Sequence, residues 1–191
     1  MNTTTELFFE AKYRAAADPW NFAHDPYELS RYRAILHALE PWRYGLAIEP
    51  GCSVGVLTEK LAAFCTHVEA FDLSTTAVER ARIRCAHLPN VCIRHASLGN
   101  VLPRNADLYL FSEVGYYLTR DALRQHLENS IAQLAPGATL LACHWLGHSS
   151  DHILSGDEVH DILHELPGLH HDHAERHTDF RLDRWAKKGP R

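Results

Sequence analysis

The stretch Leu46–Thr58, LAIEPGCSVGVLT, constrains this chain more than any other. Leu46, Ala47 and Ile48 form a short apolar run, as expected of a parallel strand buried on both faces. Glu49 stands where that strand should end, and Gly51, Cys52, Ser53, Val54 and Gly55 make a turn of small residues. Leu57, Leu61 and Phe64 then recur at helical spacing, with polar Thr58, Glu59 and Lys60 between them. A strand, a tight glycine turn and a helix bring a nucleotide-type ligand against exposed backbone N–H groups. Val68–Asp72, VEAFD, reads as a second strand ending in an acid. Asp72 lies 21 positions beyond Gly51, where an acid can accept hydrogen bonds from ribose hydroxyls.

This pattern admits NAD, FAD or S-adenosylmethionine. A dinucleotide fingerprint is G-x-G-x-x-G, whose glycines let a pyrophosphate approach the helix end. Here Ser53 replaces the second glycine and the spacing is E-x-G-x-x-x-G. Glu49 would also set a carboxylate beside any diphosphate, whereas it suits a cation. S-adenosylmethionine carries an ammonium and a sulfonium and no phosphate.

The segment LAIEPGCSVGVLT resembles motif I of the class I S-adenosylmethionine-dependent methyltransferases, and VEAFDLS resembles their motif II. The order DPWNF…PYELSRYRAIL followed by EPGCSVGVLT resembles the nodulation-factor N-methyltransferase (NodS) family, from Trp20 to about Val159. The resemblance implies a Rossmann-like α/β fold with a seven-stranded, mostly parallel sheet and helices on both faces. It implies one domain over 1–191, with a helical leader or lid at 1–40 and a core at 41–186. It also implies methyl transfer to an amine of an amino-sugar-type small molecule. Glu49, Gly51, Cys52, Ser53, Gly55, Asp72 and Leu73 would hold the donor. Trp20, Tyr27 and Arg31 would close on its amino-acid end, with Arg31 pairing to the carboxylate. Ala96, Ser97 and Leu98 would border the adenine, and Ser112 would complete the set.

Composition excludes several classes. The chain has 191 residues, 46% hydrophobic and 23% charged, with a formal net charge of −5, which gives no footprint for a nucleic-acid partner. No apolar run approaches the ~20 residues of a membrane span. The start, MNTTTELFFEAKY, lacks the basic-then-apolar order of a secretory signal. Five scattered cysteines without a C-x-x-C pair suggest reduced thiols and a cytoplasmic protein, with Cys52 a small packing residue.

Read in order, helices are expected over 7–17 and 27–39, ended by Asp18-Pro19 and Pro41. A helix over 74–87 starts on Ser74 and carries a solvated face of Glu79, Arg80, Arg82 and Arg84. Strands follow at 91–94, 106–111 and 138–143, with a helix over 121–134 between the last two. A further helix starts at Ser155, a strand pair closes the sheet around Phe180 and Leu182, and the tail from Lys187 is loose.

Open α/β sheets bind ligands at the C-terminal ends of their strands. Glu113, after the fourth strand, and His144, after the fifth, are therefore the expected catalytic pair. Glu113 would hold the amine, and His144 would act as base or orient a hydroxyl. Tyr116, Tyr117 and Trp145 are the aromatic candidates for stacking on a sugar ring. Fifteen histidines, concentrated late in the chain, raise a metal reading, and His160 and His164 have i, i+4 spacing. There is no H-E-x-x-H, and group transfer from a sulfonium needs no metal, so none is expected. The alternatives are an O-methyltransferase, a cofactor-binding domain without catalysis that regulates a partner, and an NAD-dependent oxidoreductase, the last disfavoured by Ser53 and Glu49.

Overall fold

The computed structural model describes residues 3–41, 43–99 and 104–189, with side chains from residue 6 onward. Its contacts group into two units, Met1–Asn100 and Val101–Arg191.

The first unit carries the leader and three parallel strands. Helix α1 spans Thr3–Ala15 and α2 spans Pro26–Leu39. Asp25 caps α2 by accepting the Tyr27 N–H, and Pro26 opens it, where a proline costs no helical hydrogen bond. The strands are β1 (Tyr44–Pro50), β2 (Cys65–Asp72) and β3 (Val91–His95), ordered β3-β2-β1. Between them lie α3 (Val56–Leu61) and α4 (Thr75–Arg84). The first glycine-turn helix is shorter than its spacing suggests. Phe64 lies beyond it and gives its carbonyl to the Tyr44 N–H, anchoring the start of β1 instead. Gly55 has φ +80, and a Cβ there would sit 3.0 Å from the Ala81 Cβ. Only glycine meets both the left-handed backbone and the close approach to α4.

On the α4 face expected to be solvated, Glu79 and Arg82 are exposed, but the three arginines also serve as anchors. Arg80 donates to the carbonyls of Tyr13, Ala16 and Ala17, closing the C-terminal end of α1. Arg82 donates to Ile93 O and Arg84 to Val54 O. From the leader, Glu10 accepts the hydroxyls of Ser74 and Thr76, both at 2.6 Å. These bonds hold the Glu10 carboxyl down at about 2.

The second unit contains β4 (Leu108–Ser112), α5 (Arg120–Gln133), β5 (Thr139–Trp145), α6 (Gly156–Glu165), β6 (Leu169–Arg176) and β7 (Phe180–Lys187). Its strand order is β4-β5-β7-β6, the first pair parallel and the last two pairings antiparallel. Leu108 to Phe111 and Leu140 to His144 are buried without a break, as interior parallel strands should be. Ser155 and Glu158 form a full capping box at the start of α6. Two expectations are corrected: His144 and Trp145 lie inside β5 rather than after it, and Lys187 belongs to β7, not to a loose tail. Pro190 and Arg191 lie outside the described residues. Among the described residues no helix is long and apolar enough to cross a membrane.

Replacing Glu10 by Gln should cost about 1–2 kcal/mol in urea unfolding, since it weakens two charge-assisted bonds. The Glu10 pKa is lowered on folding, so its contribution is complete above about 4.5 and fades as pH falls toward 2. The wild type should lose this increment on acidification, and Glu10→Gln should not.

Candidate functional site

The turn after β1 is built around Asp72. Its Oδ2 accepts the Ser53 N–H and its Oδ1 the Ser74 N–H, each at 2.9 Å. The N–H groups of Gly51 and Cys52 both go to the Phe71 carbonyl, at 2.8 and 3.0 Å, and that of Gly55 to Cys52 O. Gly51, Ser53 and Gly55 all have positive φ. This corrects the expectation of exposed N–H groups: at these four positions they are consumed within the fold. The turn instead presents carboxylates. Glu49 is 4% exposed, and its Oε2 has no hydrogen-bond partner among the described residues; the same holds for the Ser53 hydroxyl. Burial drives the Glu49 carboxyl up to about 7, and the neighbouring Asp72 charge adds to this. Burial also lifts Asp72 to about 6 against the pull of its backbone donors. Cys52 is a buried packing residue whose thiol burial pushes well up.

The other candidates of the first unit surround this turn in sequence or in space. Leu73 gives its carbonyl to His95 Nε2 at 2.8 Å, and Ala96 N–H bonds Asp72 O at 3.0 Å. Ser97 and Leu98 follow β3 and are partly exposed. Trp20 stacks on Phe22, with ring centroids 5.7 Å apart, and meets Phe9 and Tyr13, so it knits the leader together. Arg31 is 1% exposed, salt-bridged to Glu28, and lies against the rings of Tyr27 and Tyr32.

In the second unit, Ser112 ends β4 and the chain turns at Glu113, which has φ +59. Glu113 Oε1 accepts the Trp145 N–H at 2.7 Å and Oε2 accepts the Tyr116 hydroxyl. His144 does not meet the requirement for a base at a substrate. It has zero exposure, its Nε2 accepts the Gly115 N–H at 3.2 Å, and its Nδ1 faces His160. Tyr116 is 2% exposed and one ring face is covered by His152 at 3.9 Å, so it cannot stack on a sugar. Tyr117 and Trp145 keep partial exposure. Sequence reasoning missed Asp183 and read His160 only as one of a possible metal-binding pair, because their partners are distant in the chain.

The late histidines divide between the interior and the surface. His164, His171 and Asp183 offer ligand atoms within 4.8 Å of one another. Arg181 also lies there, with Nη2 at 3.0 Å from His164 Nε2 and Nε at 2.7 Å from Asp183. An ion-pair cluster accounts for this arrangement.

Fold and turn together define the class: these are the strands, directions and acid positions of a class I S-adenosylmethionine-dependent methyltransferase fold. The chain belongs to the NodS family, whose model, "Nodulation protein S (NodS)", matches residues 6–159. Nodulation protein S of Rhizobium tropici is 31% identical over 80% of this chain and 66% of its own length. That of Bradyrhizobium diazoefficiens is 30% identical over 66% of this chain and 62% of its own. The chain thus covers less than two thirds of either relative. The crystal structure of N-methyltransferase NodS from Bradyrhizobium japonicum WM9, in complex with S-adenosyl-L-homocysteine, superposes with TM-score 0.84 at 26% identity. The match covers 96% of this chain and 98% of that one.

Glu49 and Asp72 both have folded pKa values above their unfolded ones. Between about pH 4.5 and 7 the folded form binds more protons, so stability falls as pH rises. Glu49→Gln removes a buried charge and should stabilise the ligand-free protein by about 1–3 kcal/mol at pH 8. That is a melting-temperature rise of about 2–4 °C per kcal/mol by calorimetry, with a flatter pH profile.

Proposed function

We propose that this chain transfers a methyl group from S-adenosylmethionine to an amine nitrogen of a small amino-sugar-type acceptor. The observation that carries the donor assignment is the buried Glu49–Asp72 pair on a turn whose N–H groups at Gly51, Cys52, Ser53 and Gly55 are already spent. A phosphate needs such donors, and a hydroxylated cation needs carboxylates. Glu49 Oε2 and Ser53 Oγ, buried without partners among the described residues, fit a ligand that brings hydroxyl and ammonium donors. The N-methyltransferase named for the Bradyrhizobium japonicum relative supports nitrogen as the acceptor atom.

When bound, the donor supplies a methyl group on a sulfonium that needs no further activation, so the protein's work is positioning and exclusion of water. Asp72 and Glu49 accept the donor's hydroxyl and ammonium hydrogens, and Leu73 follows them on the same loop. Arg31, already beside Glu28, takes the carboxylate, and Trp20 and Tyr27 of the leader cover that end. The Ala96–Leu98 segment borders the adenine, and Ser112 ends the strand that leads to Glu113. An acceptor amine must be neutral to react. Glu113, at the turn after that strand, holds it and accepts its proton. Tyr117 and Trp145, the partly exposed aromatics, form the apolar side of the acceptor's place.

Calorimetry should show heat of binding for S-adenosyl-L-homocysteine and none for NAD. Asp72→Asn and Glu49→Gln should each weaken the former by at least about tenfold, about 1.4 kcal/mol. Radiolabelled methyl should pass to glucosamine oligomers and not to their fully N-acetylated forms. No heat with S-adenosyl-L-homocysteine would sink the assignment. Label on the N-acetylated forms would move the reaction to oxygen.

A further inference from the structure

Five groups in the second unit, His171, Asp183, His160, His144 and Gly115, form a line of hydrogen bonds from the surface to the turn after β4. Asp183, on β7, is 1% exposed. Its Oδ1 faces His171 Nε2 at 3.0 Å, and its Oδ2 faces Arg181 Nε at 2.7 Å and His160 Nδ1 at 2.6 Å. His160, on α6, is fully buried and turns its Nε2 to His144 Nδ1 at 3.2 Å. His144, on β5, accepts the Gly115 N–H on Nε2 at 3.2 Å.

Gly115 and Asp183 set the polarity of this line. A backbone N–H can only donate, and an ionised carboxylate can only accept. His144 must then be bare at Nε2 and carry its proton on Nδ1. His160 must accept that proton's hydrogen bond on Nε2 and donate from Nδ1 to Asp183. One arrangement of protons satisfies every contact, and it requires both imidazoles to be neutral. A proton added to either ring would put two N–H groups face to face in a site with no exposure.

The turn that this line holds is pinned elsewhere by the same strand. Trp145, the residue after His144, donates its N–H to the Glu113 carboxylate, and Glu113 N–H bonds Cys143 O at 3.0 Å. Gly115 has no room for a side chain: a Cβ would lie 2.5 Å from Val159 of α6. The three β5 residues 143–145 thus each take one contact from the segment 113–115, and the His144 contact is the one whose strength depends on a proton's position.

We propose that His160 and Asp183 are positioning residues, which fix the Nδ1–H tautomer of His144 and through it the Gly115 turn that aims the Glu113 carboxylate. This rests on the reading of Glu113 as the acceptor-side group. Oriented imidazole pairs of this kind act by tautomer and geometry, and a misplacement of about 1 Å at a reacting group can cost about a hundredfold in rate.

Nitrogen-15 NMR of the imidazoles in the full-length protein tests the tautomer part without any activity. His144 and His160 should both show the Nδ1–H pattern across pH 6–8; an Nε2–H or doubly protonated His144 would overturn the proposal. His160→Gln retains an acceptor toward His144 and a donor toward Asp183, whereas His160→Phe retains neither. With S-adenosyl-L-homocysteine affinity unchanged in both, His160→Phe should lower kcat about tenfold to a hundredfold. His160→Gln should recover most of that loss and preserve the His144 pattern. Equal loss in the two variants would overturn the positioning role. Should His160→Phe fail to fold, the wild-type spectrum and His160→Gln still decide. Absence of any methyl transfer by wild type would count against the proposed function and leave the tautomer result readable.

Discussion

One buried carboxylate holds together the turn after β1 and the start of α4. Asp72 accepts a backbone N–H from the turn after β1 and another from the start of α4, so one side chain closes two loops. Three positive φ values in the first loop are sustainable because its N–H groups are tied down to Asp72, Phe71 and Cys52. The electrostatic consequence follows directly. A loop whose N–H groups at Gly51, Cys52, Ser53 and Gly55 are spent and whose acids are buried repels anions and attracts a cation. The elevated Glu49 and Asp72 carboxyls are the cost of keeping that charge arrangement ready.

The leader is bound to this arrangement by the same helix whose N-cap residue, Ser74, Asp72 holds. Ser74 donates its hydroxyl to Glu10 while its Oγ accepts Ala77 N–H, so the start of α4 serves the turn and the leader at once. Arg80 closes the far end of α1. Movement of α1 would therefore break the Glu10 bonds to Ser74 and Thr76 and the Arg80 bonds to the end of the helix.

In the second unit, polar groups in an apolar interior reach satisfaction only as an unbroken line. His144, His160 and Asp183 are each buried, and the bonds that join them to one another and to Gly115 span 16 to 29 residues of chain. Arg181 and the exposed His171 complete the shell of Asp183. Burial alone favours neutral imidazole and opposes the carboxylate charge, and the hydrogen bonds direct where each proton sits.

Signals that work over a few residues were legible in the chain itself. Ser74 and Ser155 cap their helices, Gly55 lies in the tight turn, the apolar runs become buried strands, and Asp72 ends the second strand. Each depends on chemistry within one loop or one helical turn, or on a motif spacing. The sequence by itself therefore determined the order of elements, the family, and an acid-lined turn suited to a cation. Only the tertiary structure decided that the N–H groups of Gly51, Cys52, Ser53 and Gly55 are spent, that Arg80 is an anchor, and that His144 is buried between Gly115 and His160. Glu10 and Ser74 are 64 residues apart, and His160 and Asp183 are 23. Whether such polar groups meet each other or water is set by which strands and helices are neighbours, and no local pattern encodes that distance.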